Sequence, residues 1–416
     1  MTLDPVHVDG IADLASAIAR TVDADDHEAL AETVWEEWLP LYDDEGDRPL
    51  VEPLGEKRLR SVPVEDAALV ERPFPTVHGL DSGTINPTTF KNGLVVDVAQ
   101  AAMGAVPSDL DLHRSRHLVA TVHAADATVD FGTDWTHWDD GYSRRKVLHA
   151  PRINRFAEGV VHALSLYLAE GTHALFHANV VEDLLLLDGP LYPTEVLSWR
   201  DREPELRDLA REASPRRVVA NYVRLVERLL DRDAAVAGFV KNPSGAALTR
   251  ALRQREVEAP WADDAAFFVR LLERRADGER ATDRLTFTSW FVSRMGTDAV
   301  FAADGDGFGL DRRLDPAAYE VTFMLVYDPR DDVLFRVEAP HAITADPDRR
   351  DRLTRQVIRD VAITRGPPPA VAKADELARI GREETAALRR KFEDRLDSEQ
   401  VRTYDDVRWA PDEGTG

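Results

Sequence analysis

The chain is 416 residues long and 44% hydrophobic, enough to bury a substantial core in one large domain or two ordinary ones. Cysteine is absent, which excludes disulfides, thiolate metal sites and a cysteine nucleophile and leaves oxygen and imidazole as the metal ligands on offer. A formal net charge of −24 is spread through segments of globular pattern, with Lys57, Lys91, Lys146, Lys241, Lys373 and Lys391 the only lysines, the composition of a halophilic protein; at 1 M salt the Debye length is only ~3 Å, so this charge does not exclude a nucleic-acid partner.

The N-terminus MTLDPVHVDG carries neither a basic nor an apolar signal region, and no apolar run reaches eighteen residues, so the expectation is a cytoplasmic protein without a membrane span. Residues 1–70 read as a helical extension: IADLASAIARTV and HEALAETVWEEWLPLY carry apolar residues at helical spacing, interrupted by Pro40 and Pro49. Val34, Trp35 and Trp38 are its expected partner-facing residues. After the proline-rich ERPFPTVHG the pattern turns to strands, VHGLD, GLVVDVAQAAMG, HLVATVHAA and ATVDFG. From Pro151, RINRFAEGVVHALSLYLAEG predicts an amphipathic helix with Phe156, Val160, Ala163, Leu164 and Tyr167 on one face and Gly171 at its end. DLLLLD is then a strand buried on both faces. Helices follow over about 201–276, with AGFVKNP between them as a short strand. YEVTFMLVYD and DVLFRVEAP predict a hairpin through PRDD, and two further helices are separated at Gly366–Pro369. Residues 71–395 thus form the α/β body, and 396–416 an acidic tail.

Two apolar runs end in an aspartate followed by a glycine-containing turn, Asp81 in VHGLDSGT and Asp188 in DLLLLDGPLYP. Alone, each reads most simply as a turn. Together they suggest strands delivering carboxylates to one sheet edge, where desolvation demands a cation. The intervening helix offers a third acid, and Glu158 is preferred over Glu170, which abuts Gly171 where a carboxylate would oppose the helix dipole. Three carboxylates suit Mn²⁺ or Mg²⁺ and phosphodiester hydrolysis. Lys241, after a short strand, and Arg336 are the expected backbone phosphate contacts, the alternative for Arg336 being an ion pair with Glu338. His173 and His177 lack an HExxH context, so a zinc hydrolase is not expected. Trp135 and Trp138 read as packing residues or, less simply, as base-stacking ones, and Arg144 to Lys146 and Arg216–Arg217 as solvated faces or a DNA path.

GLDSGT, RFAEGVVHAL, LLLLDGPLYP, GFVKNPSG and LFRVEAP occur in the order of the blocks of the archaeal NurA nucleases, which this chain resembles over about residues 75–390. That resemblance implies an α/β fold with an RNase H-like mixed sheet flanked by helices, and a homodimeric unit. It further implies Mn²⁺-dependent endonuclease and 5′ to 3′ exonuclease action on DNA, in company with a HerA-type hexameric ATPase. Asp81, Glu158 and Asp188 would be its metal ligands. The chain departs from the family pattern in RGPPPAVAKADELARI, where Pro367 stands at the usual Tyr position and Asp375 at the usual His position. Asp375 can serve as an oxygen ligand or base; Pro367 cannot replace a phenol. Two other readings use the same residues: a DNA-end or ATPase-binding scaffold with impaired chemistry, and an actin-like or sugar-kinase ATPase whose Ser82, Gly83 and Thr84 cradle a phosphate.

Overall fold

The computed structural model describes residues 5–19, 24–42, 48–124, 134–150, 156–257 and 259–402. The strand expected at ATVDFG and most of the acidic tail lie outside the described residues. Helices α1 (Pro5–Ala19) and α2 (Ala24–Thr33) begin the chain, but the helical reading fails between Trp38 and a short helix at Val64–Leu69. Strands β1 (Pro49–Pro53) and β2 (Leu59–Pro63) then join the main sheet, against β11 (Phe291–Ser293) and β10 (Arg284–Thr288). Pairing with these distant strands outweighs local helical spacing. Val34 and Trp35 are buried rather than partner-facing, Trp35 packing edge-on to Phe291 at 5.5 Å, and Trp38 is half-buried. The apolar stripe that α1 exposes is instead Val8, Ile11, Leu14 and Ile18.

The centre of the sheet is built from β3 (Val77–Thr84), β4 (Leu94–Val106), β5 (Arg116–Ala124), β8 (Leu184–Asp188) and β9 (Ala235–Val240), in the order β5-β4-β3-β8-β9. β4 is antiparallel to both neighbours, whereas β3, β8 and β9 run parallel. This is the expected RNase H-like mixed sheet. Beyond β5 come β7 (Ser143–His149) and the edge strand β6 (Thr136–Trp138); beyond β9 come β13 (Val333–Pro340) and β12 (Val321–Asp328), which form the predicted hairpin.

Helices cover both faces. α3 (Ala157–His177) and α4 (Ala213–Leu230) pack on one, α7 (Pro347–Thr364) and α8 (Pro369–Ala378) on the other, where α9 (Arg382–Leu396) also packs Phe392 and Leu396 over β4 and β5; α5 (Ala247–Gln254) and α6 (Asp264–Leu272) lie outside this centre. Side chains alternate along a strand, so Leu185 and Leu187 enter the α3 core while Leu184 and Leu186 enter the α8 core. Each leucine so buried contributes roughly 1.5–3 kcal/mol over exposure.

One packing feature decides where α8 lies. A Cβ on Gly79 would stand 2.1 Å from the Ala370 carbonyl oxygen, one on Gly83 2.1 Å from that of Ala378, and one on Gly104 2.8 Å from the Ala374 amide. The helix backbone rests on the strands only because those side chains are missing. Among the described residues no helix is long and apolar enough to cross a membrane.

Candidate functional site

Parallel β3, β8 and β9 end at one edge of the sheet, and strand parity places Asp81, Asp188 and Lys241 on the α8 face there: Gly79 and Gly83 flank Asp81 beneath the helix, and Leu186 precedes Asp188 by two. Asp188 closes β8, as expected. Asp81 does not close β3. The strand continues through Ser82, Gly83 and Thr84, paired with β4, while pairing to β8 stops at Leu80–Leu187. Asp81 therefore stands where one neighbouring strand has ended and the other has not, and Gly83 serves contact with α8 rather than a turn.

Asp81 and Asp188 stand close enough for each carboxyl to act on the other, and the Lys241 ammonium donates to Asp188 Oδ2 at 2.5 Å. Burial pushes the Asp81 carboxyl up to about 8, with the charges of Asp188 and Glu170 adding to the shift. Burial also raises Asp188, against the lowering bond from Lys241; the nearby Asp375 charge raises it further. For Lys241 burial disfavours the charge, but Asp188, Asp81 and Asp375 outweigh it and its pKa is raised.

The helix acid in this cluster is Glu170, not Glu158. Glu158 is exposed in the first turn of α3, where the Thr89 hydroxyl donates to it at 2.8 Å, and twelve residues of helix separate it from Glu170, a rise of about 18 Å. Glu170 is buried on the far side of the sheet edge: the Ser82 hydroxyl donates to Oε1 at 2.6 Å and the Tyr222 hydroxyl to Oε2 at 2.9 Å. Burial pushes its carboxyl up to about 7, against those two bonds. The expectation failed because Gly171 does not end the helix. α3 runs on to His177, and Gly171 lets α4 approach, since a Cβ there would stand 3.1 Å from Asn221 Cβ. A signal was present: Glu170 continues the buried stripe Ala163, Tyr167, Ala174 at i+3 and i+4, and an acid on such a stripe is exceptional.

Asp375, midway along α8, acts electrostatically on both Asp188 and Lys241, so the structure brings it to the cluster. Its bonded partner is Arg379, at 2.6 Å. Pro367 lies in the turn before α8 and adds no functional group. Arg336 is not a free cation. It is half-buried, donates to Glu338 at 2.7 Å and Asp298 at 2.9 Å, and lies 4.3 Å from the Phe323 ring centre. Its partner Glu338 accepts the Leu191 N–H at 2.9 Å, while Tyr192 donates to the Tyr319 carbonyl at 3.0 Å and stacks on Phe301. The LYP and VEAP segments thus hold the loop that follows Asp188.

Several of the other basic and aromatic candidates are tied up, while Arg145 and Arg217 are exposed. Arg144 lies 3.6 Å from the Phe176 ring centre, Lys146 is buried beside Trp135, and Arg216 donates to the Gly309 carbonyl; Trp138 alone of the tryptophan pair is exposed. His173 and His177 do share a helix face, where His117 and His173 bring their Nδ1 atoms within 2.9 Å, and burial keeps all three neutral. Among the described residues no group of three or more His, Asp or Glu forms a ready metal cage. At the sheet edge the reason is visible: Lys241 engages Asp188, and both Glu170 oxygens have partners.

The raised Asp81 carboxyl predicts a pH dependence. Between its unfolded and folded pKa values the folded protein holds a proton that the unfolded chain has released, so stability falls as pH rises. Asp81→Asn removes this penalty. In metal-free buffer the variant should gain stability relative to wild type from pH 5 to 8, by up to about 1 kcal/mol per pH unit, levelling above 8. Urea titrations across that range measure it, and a flat difference would mean the carboxyl is solvated.

A model described as the NurA domain matches residues 75–380. Among solved structures, the NurA nuclease from Sulfolobus solfataricus aligns at 11% identity over 95% of this chain and 99% of that one, with a TM-score of 0.46. NurA bound to dAMP and manganese aligns at 9% identity over 98% and 99%, with a TM-score of 0.47. No curated protein matches. Likenesses at this level establish no site, and the assignment rests on the domain match, which spans well over half of the chain. The chain belongs to the NurA domain family.

Proposed function

We propose that this chain is a metal-dependent DNA nuclease, a phosphodiester hydrolase with 5′ to 3′ exonuclease and endonuclease action. The observation that carries the reading is the convergence of Asp81, Asp188 and Asp375 at one sheet edge, backed by Glu170, in a NurA-domain chain. The donor set fits a hard cation. Partly desolvated aspartates held side by side lack positive charge, and Lys241 supplies only part of it. Asp81 and Asp188 would hold Mn²⁺ or Mg²⁺, with Glu170 or Asp375 completing the oxygen set. Bound there, the ion would stabilise charge on the phosphodiester and ease deprotonation of the attacking water. Ser82 and Tyr222 orient Glu170, and Lys241 is placed to meet a phosphate when Asp188 turns to the ion.

We place this activity in DNA end resection and double-strand break repair in the cytoplasm, as a homodimer working with a HerA-type ATPase. Residues 71–395 are the catalytic body, whose sheet also takes in β1 and β2; the rest of residues 1–70 is an extension and 396–416 a tail. The exposed stripe on α1 supports that extension as a docking element. The ATPase reading loses support, because Ser82 is bonded to Glu170 and Gly83 is covered by α8.

Labelled linear DNA incubated with Mn²⁺ at high salt, with and without the ATPase, tests the proposal. Glu170→Gln should lower cleavage by roughly 10- to 100-fold, while Glu158→Gln stays near wild type. No cutting by wild type in either condition overturns the nuclease reading in favour of a scaffold; loss in Glu158→Gln alone returns the helix role to that residue.

A further inference from the structure

We propose that Arg379 is a substrate-binding residue, taking a phosphate of the DNA strand at the mouth of the site; this rests on the nuclease reading. Of the cations expected to meet phosphate, Arg336 is enclosed by Asp298, Glu338 and Phe323, and Lys241 is engaged by Asp188. Arg379 is the opposite case. Its side chain is 65% exposed, and it reaches the carboxylate cluster through Asp375 at 2.6 Å and through the charge of Asp81.

Its placement is set by the backbone. Arg379 follows the last residue of α8, Ala378, whose carbonyl lies against Gly83 and accepts a bond from the Gln100 side-chain amide at 3.4 Å. Gly83 is two residues from Asp81 on the same strand face, so the helix end is pinned beside the aspartates.

A cavity of about 900 Å³ opens from this point, and Arg379 lines it. It runs between α9 and the α8 face of β4, β5 and β7, over Val98 and Leu118 and beside Arg145, Leu388 and Lys391. Strand register puts these sheet residues on the same face as Asp81, so the cavity continues the site rather than forming a separate pocket. An apolar floor with cations at its rim suits a strand whose bases lie inward and whose phosphates lie outward. Arg379 stands where that strand would enter the carboxylates. Its planar fork, now donating a single bond to Asp375, can grip a phosphate bidentately, freeing Asp375 to turn toward the aspartate pair.

The test is binding of a fluorescent single-stranded oligonucleotide in EDTA over a KCl series, alongside cleavage in Mn²⁺. Arg379→Gln should weaken binding by roughly 3- to 10-fold, reduce the slope of log affinity against log salt by about 1, and leave thermal stability unchanged, with partial recovery in Arg379→Lys. If Arg379 merely holds Asp375, then Asp375→Asn reproduces the cleavage defect and the salt slope of Arg379→Gln equals that of wild type, which overturns the inference. Wild-type protein that binds with the Arg379-dependent slope but never cuts sinks the nuclease reading and leaves Arg379 as a phosphate contact. Wild-type protein that fails to bind the oligonucleotide overturns both.

Discussion

Asp188→Asn and Asp81→Asn are each expected to lower DNA cleavage by on the order of a thousandfold or more while the protein stays folded. Both side chains are half-buried at the sheet edge, and that desolvation already favours their neutral forms. An amide of the same shape therefore costs little in packing, yet it removes the negative charge that a hard cation requires. The two variants differ in one respect. Asp188→Asn also strips Lys241 of its charged partner, so it should be the less stable, while Asp81→Asn should match or exceed wild type at pH 8. Single-turnover cleavage in Mn²⁺ together with thermal unfolding separates the effects. Near-normal cutting by both folded variants would place the chemistry elsewhere.

Gly79→Val should destabilise the protein by roughly 3 kcal/mol or more, because the new Cβ meets a helix carbonyl that no rotamer change can move. Only lifting α8 from β3 relieves the contact, and that exposes the buried Ala370, Val371 and Ala374. Asp375 and Arg379 leave the site with the helix, so residual folded protein should also cut poorly. Gly159→Ala is the control: a Cβ there meets nothing within 4 Å, and helix propensity makes the change neutral or stabilising by up to about 1 kcal/mol. Urea midpoints decide between these outcomes, and a Gly79→Val protein as stable as wild type would refute close contact between α8 and the sheet.

The strands were legible because their apolar runs have no other use. LLLLD can only be a strand buried on both faces, and the hairpin around PRDD carries its own turn chemistry. Helix lengths were less legible. Gly171 resembles a helix terminator in one dimension, but its missing side chain serves contact with α4, and this misreading moved the helix acid from Glu170 to Glu158. Gly83 misled in the same way, read as a turn while it seats α8. The strands at Pro49–Pro53 and Leu59–Pro63 were hidden because the strands that join them to the main sheet lie more than two hundred residues away.

By itself the sequence determined the α/β class, the delivery of Asp81 and Asp188 by apolar strands, and the exclusion of thiolate chemistry, all properties of local pattern and composition. Tertiary structure alone decided which acids and cations meet. Glu170 rather than Glu158 enters the cluster because α3 is longer than its glycine suggests, Arg336 is spent in ion pairs with Asp298 and Glu338, and Asp375 with Arg379 reaches the edge because three glycines let a helix lie directly on two strands. Such meetings depend on distances between elements far apart in the chain, which no spacing along it records.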